Sequence, residues 1–406
     1  MTPTLSGPEL LDTNVIDDPY PFYDRLRVEA PVWEVPGTGV FTVCTFDLVA
    51  EATDRVDDFS SHLTCLLHRD PTGLPGRLPF GGADVQVLAT ADPPDHAVHR
   101  STVFPELVAR RMAALQPDIA DVVDGCVTRA LDEGTVEFMA AIGNVVPITM
   151  ISRLIGFHDS DLNQLLCAAF DSTAMLGATL TIDELMELIS RTEEVQNWID
   201  GQLSTAIESS GDDLLGAVAR GVRAGVFSEP DANGILLTLL SAGGESTASL
   251  LGNAVRILAE TPDLQEHLRR TPEQIPAFVE EVLRLESPFR YHMRSVARDA
   301  VLGDVRIPSG STLLLLWGAA NRDAAEFDRP DEIDLQRQTP RHHLSFGRGI
   351  HHCVGAALAR IEAREAITKL LGRTKSIALD VERPARWVNS LMVRRHEELP
   401  VRLVAR

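Results

Sequence analysis

Between Ser228 and Thr261 the sequence has the makings of one uninterrupted helix. At about 30 residues it would be roughly 45 Å long at about 1.5 Å per residue, enough to cross a whole domain. Ser228-Glu-Pro-Asp231 has the Ser-x-x-acid form of a capping box, with proline in the first turn, and Thr261-Pro262 stops the run. Everything else in the chain must be arranged around such a rod. Its middle, however, works against helix formation. Ser241-Ala-Gly-Gly-Glu-Ser-Thr-Ala248 holds two interior glycines, each costing about 1 kcal/mol relative to alanine, and sets Glu245 among apolar neighbours. Close helix packing would account for Gly243 and Gly244 but not for Glu245, Ser246 and Thr247 together. The combination points to a ligand at mid-helix.

A second stretch, Phe346-Gly-Arg-Gly-Ile-His-His-Cys-Val-Gly355, runs into an apolar-periodic segment, Ala356 to Leu371, that reads as a helix. Cys353 then lies at the helix mouth, where unpaired N–H groups and the positive end of the dipole favour a thiolate. Gly347, Gly349 and Gly355 allow tight turning and leave room for a flat group beside the sulfur. The competing reading is a buried structural cysteine.

The chain of 406 residues is 44% apolar, enough for a sizeable core. A net charge of −22 argues against a nucleic-acid partner, since phosphate would be repelled over most of the surface. The five cysteines are scattered and form no C-x-x-C pair, which indicates neither a disulfide framework nor a zinc knuckle. The first residues lack a basic start and an apolar stretch, and the run from Ile307 to Ala320 is too broken to span a bilayer. These features lead us to expect a soluble, cytoplasmic protein. No repeat or linker divides it, so a single domain over 1–406 is expected.

Along the chain, Pro31–Val35 and Val40–Cys44 read as a hairpin closed by Pro36-Gly-Thr-Gly39. Three prolines and four glycines within 68–82 suggest a long loop acting as an entrance lid. Asp92-Pro-Pro-Asp opens a helix on which His96 and Arg100 share a face. From about 105 to 260 the pattern is almost wholly helical, with breaks near Gly134, Gly156, Ser209 and Gly225. A helix from Glu273 to Leu285 follows, with Glu281 and Arg284 adjacent on one turn, and then β-like runs at 301–307 and 312–316. Residues 321–339 read as irregular. The fold class is mainly α with small β-sheets.

Four of these stretches, in order and spacing, resemble cytochrome P450: the His96/Arg100 helix, Ala242-Gly-Gly-Glu-Ser-Thr247, Glu281-x-x-Arg284, and the Cys353 loop. The similarity runs over essentially the whole chain and is to soluble actinobacterial members, mycobacterial ones above all. The resemblance implies a triangular helical prism around haem b, with Cys353 as the thiolate ligand of the iron. It places His96, Arg100, Arg294 and His351 at the propionates, Phe346 beside the sulfur, and Gly349 where backbone amides approach it. Ala242 and Gly243 would border the haem. Glu245 and Ser246, with Thr247 next to them, match the acid–alcohol pair that delivers protons during oxygen activation. Serine stands where the family usually has threonine, so proton delivery is expected to be looser.

Glu281 and Arg284 would form a structural ion pair. Its third family partner is an arginine, but Glu332 stands at the matching place. Substrate contacts would come from Phe289, Tyr291, Met293 and Leu391, mostly apolar, with Arg290 and His292 as optional polar groups. The implied activity is insertion of one oxygen atom of O2 into a hydrophobic molecule. The chain shows no fused reductase, so electrons from NAD(P)H would arrive through a ferredoxin reductase and a ferredoxin. Arg337, Arg341, Arg348, Arg360 and Arg364 form a basic island suited to that acidic partner. A peroxide-driven or rearranging relative, or a non-catalytic haem sensor, is the alternative; the acid at Glu245 disfavours both. The pairs His342-His343 and His351-His352 bring no further ligands for a zinc site.

Overall fold

The computed structural model describes residues 5–79, 85–209 and 211–406. The long helix runs from Glu229 to Glu260. Ser228 caps it as expected: its hydroxyl accepts from the Asp231 N–H, while Asp231 reaches back to the Ser228 N–H at 3.0 Å. By length and hydropathy this helix could cross a membrane, but two thirds of its most apolar window is buried inside the protein. It is a core helix, and the chain packs around it.

Helices Val145–Ile155, Leu162–Ala174 and Ile182–Glu208 lie against one part of it, and the cysteine helix Ala356–Arg373 lies against another. The glycines at its centre are explained by this packing. A Cβ on Gly243 would stand 2.7 Å from Ile151, and one on Gly244 would meet Ile148 and Ala169 at 3.3 Å. The larger apolar core joins these helices to Ile275–Leu285. Short strands complete the mainly α fold, including Thr135–Glu137, which interrupts the otherwise helical 105–260 stretch.

A five-stranded sheet stands apart from the bundle. Its order is Val32–Val35, Val40–Val43, Thr312–Leu315, His292–Val296 and Phe59–Ser60. The first two strands form the expected hairpin, Val35 facing Val40. Thr312–Leu315 runs parallel to Val40–Val43 and antiparallel to His292–Val296, pairing Leu313 with Arg294 and Leu315 with His292.

The 68–82 stretch is less irregular than its prolines suggested. Cys65–Arg69 pairs antiparallel with Pro75–Pro79, Arg69 opposite Pro75 and Cys65 opposite Pro79. A two-stranded hairpin has only edge strands, so proline there need not donate to a further neighbour. The rest of the expected lid, Phe80–Asp84, lies outside the described residues.

Candidate functional site

The middle of the long helix presents two different faces. Ala242 is exposed and Ser246 half-buried, one turn apart in a stretch that is otherwise mostly buried. The Ser246 hydroxyl donates to the Ala242 carbonyl at 2.6 Å. Gly243 faces Ile151 rather than open space, and Thr247 is buried.

Glu245 turns the other way. Its carboxylate accepts from Arg395 Nε at 2.9 Å and from the hydroxyl of Thr173 on the 162–174 helix. Burial pushes its pKa up to about 7, against the pull of the Arg395 cation. Arg395 is itself held, its guanidinium lying 3.7 Å from the ring centre of Phe170. Neither Thr173 nor Arg395 was legible as a site residue, because both are far from Glu245 in sequence. The only hint was a cation demanded by a buried acid.

The Cys353 loop folds as a tight turn, Gly347 and Gly349 both adopting positive φ near 65°. The Cys353 N–H donates to the Phe346 carbonyl at 2.8 Å. The amides that reach the sulfur are those of Gly355 and Ala356, at the start of the cysteine helix, not amides at Gly349. They and the cations Arg360 and Arg100 pull the thiol pKa down. Cys353 is exposed to the adjoining cavity and is not a core cysteine, yet loss of hydration among the surrounding atoms outweighs these pulls and moves the thiol up. A coordinated metal cation would favour the thiolate. Phe346 lies under Arg360, 4.4 Å from its guanidinium.

Four expected propionate partners come together. His96 and His351 have ring centres 4.3 Å apart, and Ser61 Oγ lies 3.0 Å from His351 Nε2. Arg294 is buried, and among the described residues its side chain hydrogen-bonds only to the Met293 carbonyl. Burial depresses His351 to about 3, with the Arg294 charge adding to the effect, and lowers Arg294 to about 10. Among the described residues, no carboxylate lies within ion-pair distance of His96, Arg100, Arg294 or His351. Asp299, five residues after Arg294, binds Arg306 at 2.7 Å and the Ser309 N–H. Two arginines and two neutral imidazoles gathered without a carboxylate supply the cations and N–H donors that two propionates require, so the residues present fit haem.

The Glu281–Arg284 pair is fully buried and its third partner is Arg337. Arg284 and Arg337 each reach Glu281 Oε1 through Nε at 2.9 Å. Glu332 contributes only its carbonyl, which accepts from Arg284. Arg337 is thereby withdrawn from the expected basic island. Arg360 binds Glu280 twice and Arg348 pairs with Asp54 at 3.1 Å, which thins the island further. What remains borders a surface cavity of about 580 Å³ that includes Arg100, Phe104, Cys353, Arg360 and Arg364.

Of the expected substrate contacts, Phe289 and Met293 are only half-buried, while Leu391 is buried. Tyr291 is not open to a pocket: it is fully buried and its hydroxyl donates to the Leu176 carbonyl. Arg290 meets no substrate space either, since it is buried on the carbonyls of Ile16 and Ser390. The histidine pairs are used singly, His342 on Glu326 and His343 on Glu280. No metal-ligand cluster is found among the described residues.

Comparison with known proteins gives the same answer over a longer span than any of these motifs. The "Cytochrome P450" family model matches residues 181–380. The chain is 41% identical to cytochrome P450 144 of Mycobacterium tuberculosis over 387 residues, covering 95% of this chain and 88% of that protein. It is 33% identical to 6-deoxyerythronolide B hydroxylase of Saccharopolyspora erythraea, covering 78% of each. Among solved structures, the P450 CREJ bound to (4-ethylphenyl) dihydrogen phosphate superimposes with a TM-score of 0.87 at 28% identity, covering 96% of this chain and 98% of that one. P450BioI in complex with an acyl carrier protein carrying hexadec-9Z-enoic acid does so at 0.86 and 27%, covering 96% and 99%. With the cysteine loop, the long helix carrying Glu245 and Ser246, and the cluster of His96, Arg100, Arg294 and His351 already in place, the conclusion is that this chain belongs to the cytochrome P450 family.

Proposed function

We propose that the protein is a haem-thiolate monooxygenase that inserts one oxygen atom of O2 into a hydrophobic organic substrate, with electrons from an external ferredoxin. Haem b supplies the redox centre at which dioxygen is reduced and cleaved. Cys353 holds the iron as thiolate, while His96, Arg100, Arg294 and His351 hold the propionates.

The observation that carries a catalytic reading is the division of labour at Glu245 and Ser246. Ser246 faces the open side of the helix, its hydroxyl kept in place by the Ala242 carbonyl. Glu245, with a pKa near 7, exchanges protons at neutral pH from within the protein. Rotation of Glu245, or water between the two groups, passes each proton to the Ser246 hydroxyl. Carriage or sensing would have no use for that pair.

Electron supply is read from the cavity beside Cys353. Arg341 and Arg364 border it; Arg341 lies 3.5 Å from Glu280, and no described carboxylate forms an ion pair with Arg364. Glu362, the one acid between Gln336 and Arg364, is buried and pushed up to about 8, so it offsets little of this charge at neutral pH. An acidic ferredoxin fits such a face. The half-buried Phe289 and Met293 favour a hydrophobic substrate.

The reduced, carbon monoxide-bound spectrum tests the reading. A red-shifted thiolate band is expected, and its absence from intact haem-loaded protein would end it.

A further inference from the structure

His292 is left over from the assignments above, and its surroundings are specific. Its Nδ1 accepts a hydrogen bond from Trp317 Nε1 at 2.6 Å. An indole N–H can only donate, so Nδ1 must carry the lone pair and the neutral ring holds its proton on Nε2. Phe289 meets the same ring edge-on, with centres 5.7 Å apart and planes at 89°, so the imidazole is fixed on two sides. Burial and the nearby Arg294 charge depress its pKa to about 3, which keeps it neutral.

The strand decides where this donor points. His292 and Arg294 are two apart on His292–Val296, opposite Leu315 and Leu313 respectively, so their side chains leave the same face. His292 stands near enough to His351 that a proton on either ring would disfavour one on the other, as Arg294 and His96 also do. The four groups therefore lie near one another, Arg294 and His96 buried and the other two half-buried. No described residue hydrogen-bonds to His292 Nε2, and no described carboxylate pairs with it.

We propose that His292 is a further cofactor-anchoring residue, its Nε2–H donating to a haem propionate and its tautomer and orientation set by Trp317. The assignment rests on the reading of Arg294 as a propionate partner. In this arrangement Trp317 is a positioning residue: it touches no cofactor and acts only through the imidazole.

The test is the rate at which haem leaves the purified holoprotein for excess apomyoglobin, together with its ferric/ferrous reduction potential. His292→Leu is expected to speed haem loss about tenfold, the scale of one charge-assisted hydrogen bond, and to lower the potential, because an unscreened propionate favours ferric iron. His292→Gln keeps an N–H donor and is expected to recover most of both. Trp317→Phe, which frees the ring to change tautomer, is expected to fall between. Wild-type haem loss in His292→Leu alongside faster loss in Arg294→Leu would overturn the role of His292 alone. Unchanged loss in both variants would remove the propionate reading itself. An altered substrate-induced spin shift with unchanged haem loss would place His292 in the substrate pocket and also overturn the proposal.

Discussion

Glu245 and Arg395, 150 residues apart in sequence, form a buried ion pair with Oε1 and Nε at 2.9 Å. The Glu245 pKa nevertheless sits above its ordinary 4.5, at about 7, because loss of hydration exceeds the attraction of the cation. Since the folded value is the higher one, its stability contribution is present below about pH 4.5 and lost as pH rises towards 7. The loss is about 3 kcal/mol over that window. Glu245→Gln is expected to flatten this slope in chemical denaturation at pH 5 and pH 7. The same variant should lower turnover on the order of a hundredfold if Glu245 is the proton donor. Unchanged turnover would remove it from the relay.

Replacing Arg395 should move the acid in a known direction. Arg395→Met removes the cation that pulls the Glu245 pKa down, so the acid should titrate still higher. The pH profile of product formation is expected to shift upward relative to wild type, and an unmoved profile would show that Arg395 serves packing on Phe170 alone.

Ser246→Thr tests the alcohol. The added methyl restricts the rotamer, so less peroxide per NAD(P)H oxidised is expected. Equal peroxide yields would mean that the bond to the Ala242 carbonyl already fixes the hydroxyl.

The buried triad should be unequal in its members. Arg284 and Arg337 each serve both oxygens of Glu281, but Arg284 also serves three backbone carbonyls and Arg337 one. Arg284→Met is expected to destabilise by about 3–5 kcal/mol, the scale of stranding a buried charge, and Arg337→Met by less. Urea titration decides the order.

Gly243→Ala should destabilise by about 1–3 kcal/mol through overpacking on Ile151, and Ile151→Val should relieve part of it. Additive effects in the double-variant cycle would show that the two residues do not share this contact.

The local chemistry was plain in the sequence. The Ser228 capping box, the proline stop at 262, the glycine turn before Cys353 and the acid–alcohol pair all depend on residues within a few positions of one another, so their type and spacing suffice. The stretch at 68–82 misled because proline counts exclude an interior strand, not a two-stranded hairpin whose edges are both free. The arginines misled for another reason: charge counted along the chain cannot tell Arg337, spent on buried Glu281, from Arg364 at the cavity rim.

Long-range pairing belonged to the tertiary structure alone. Arg395 and Thr173 reach Glu245, and Trp317 reaches His292, only because packing around the long helix and the register of one sheet bring distant segments together. The sequence by itself determined which groups could do chemistry here. The fold decided their protonation, since burial sets the cost of a charge and burial is a property of the whole packed molecule.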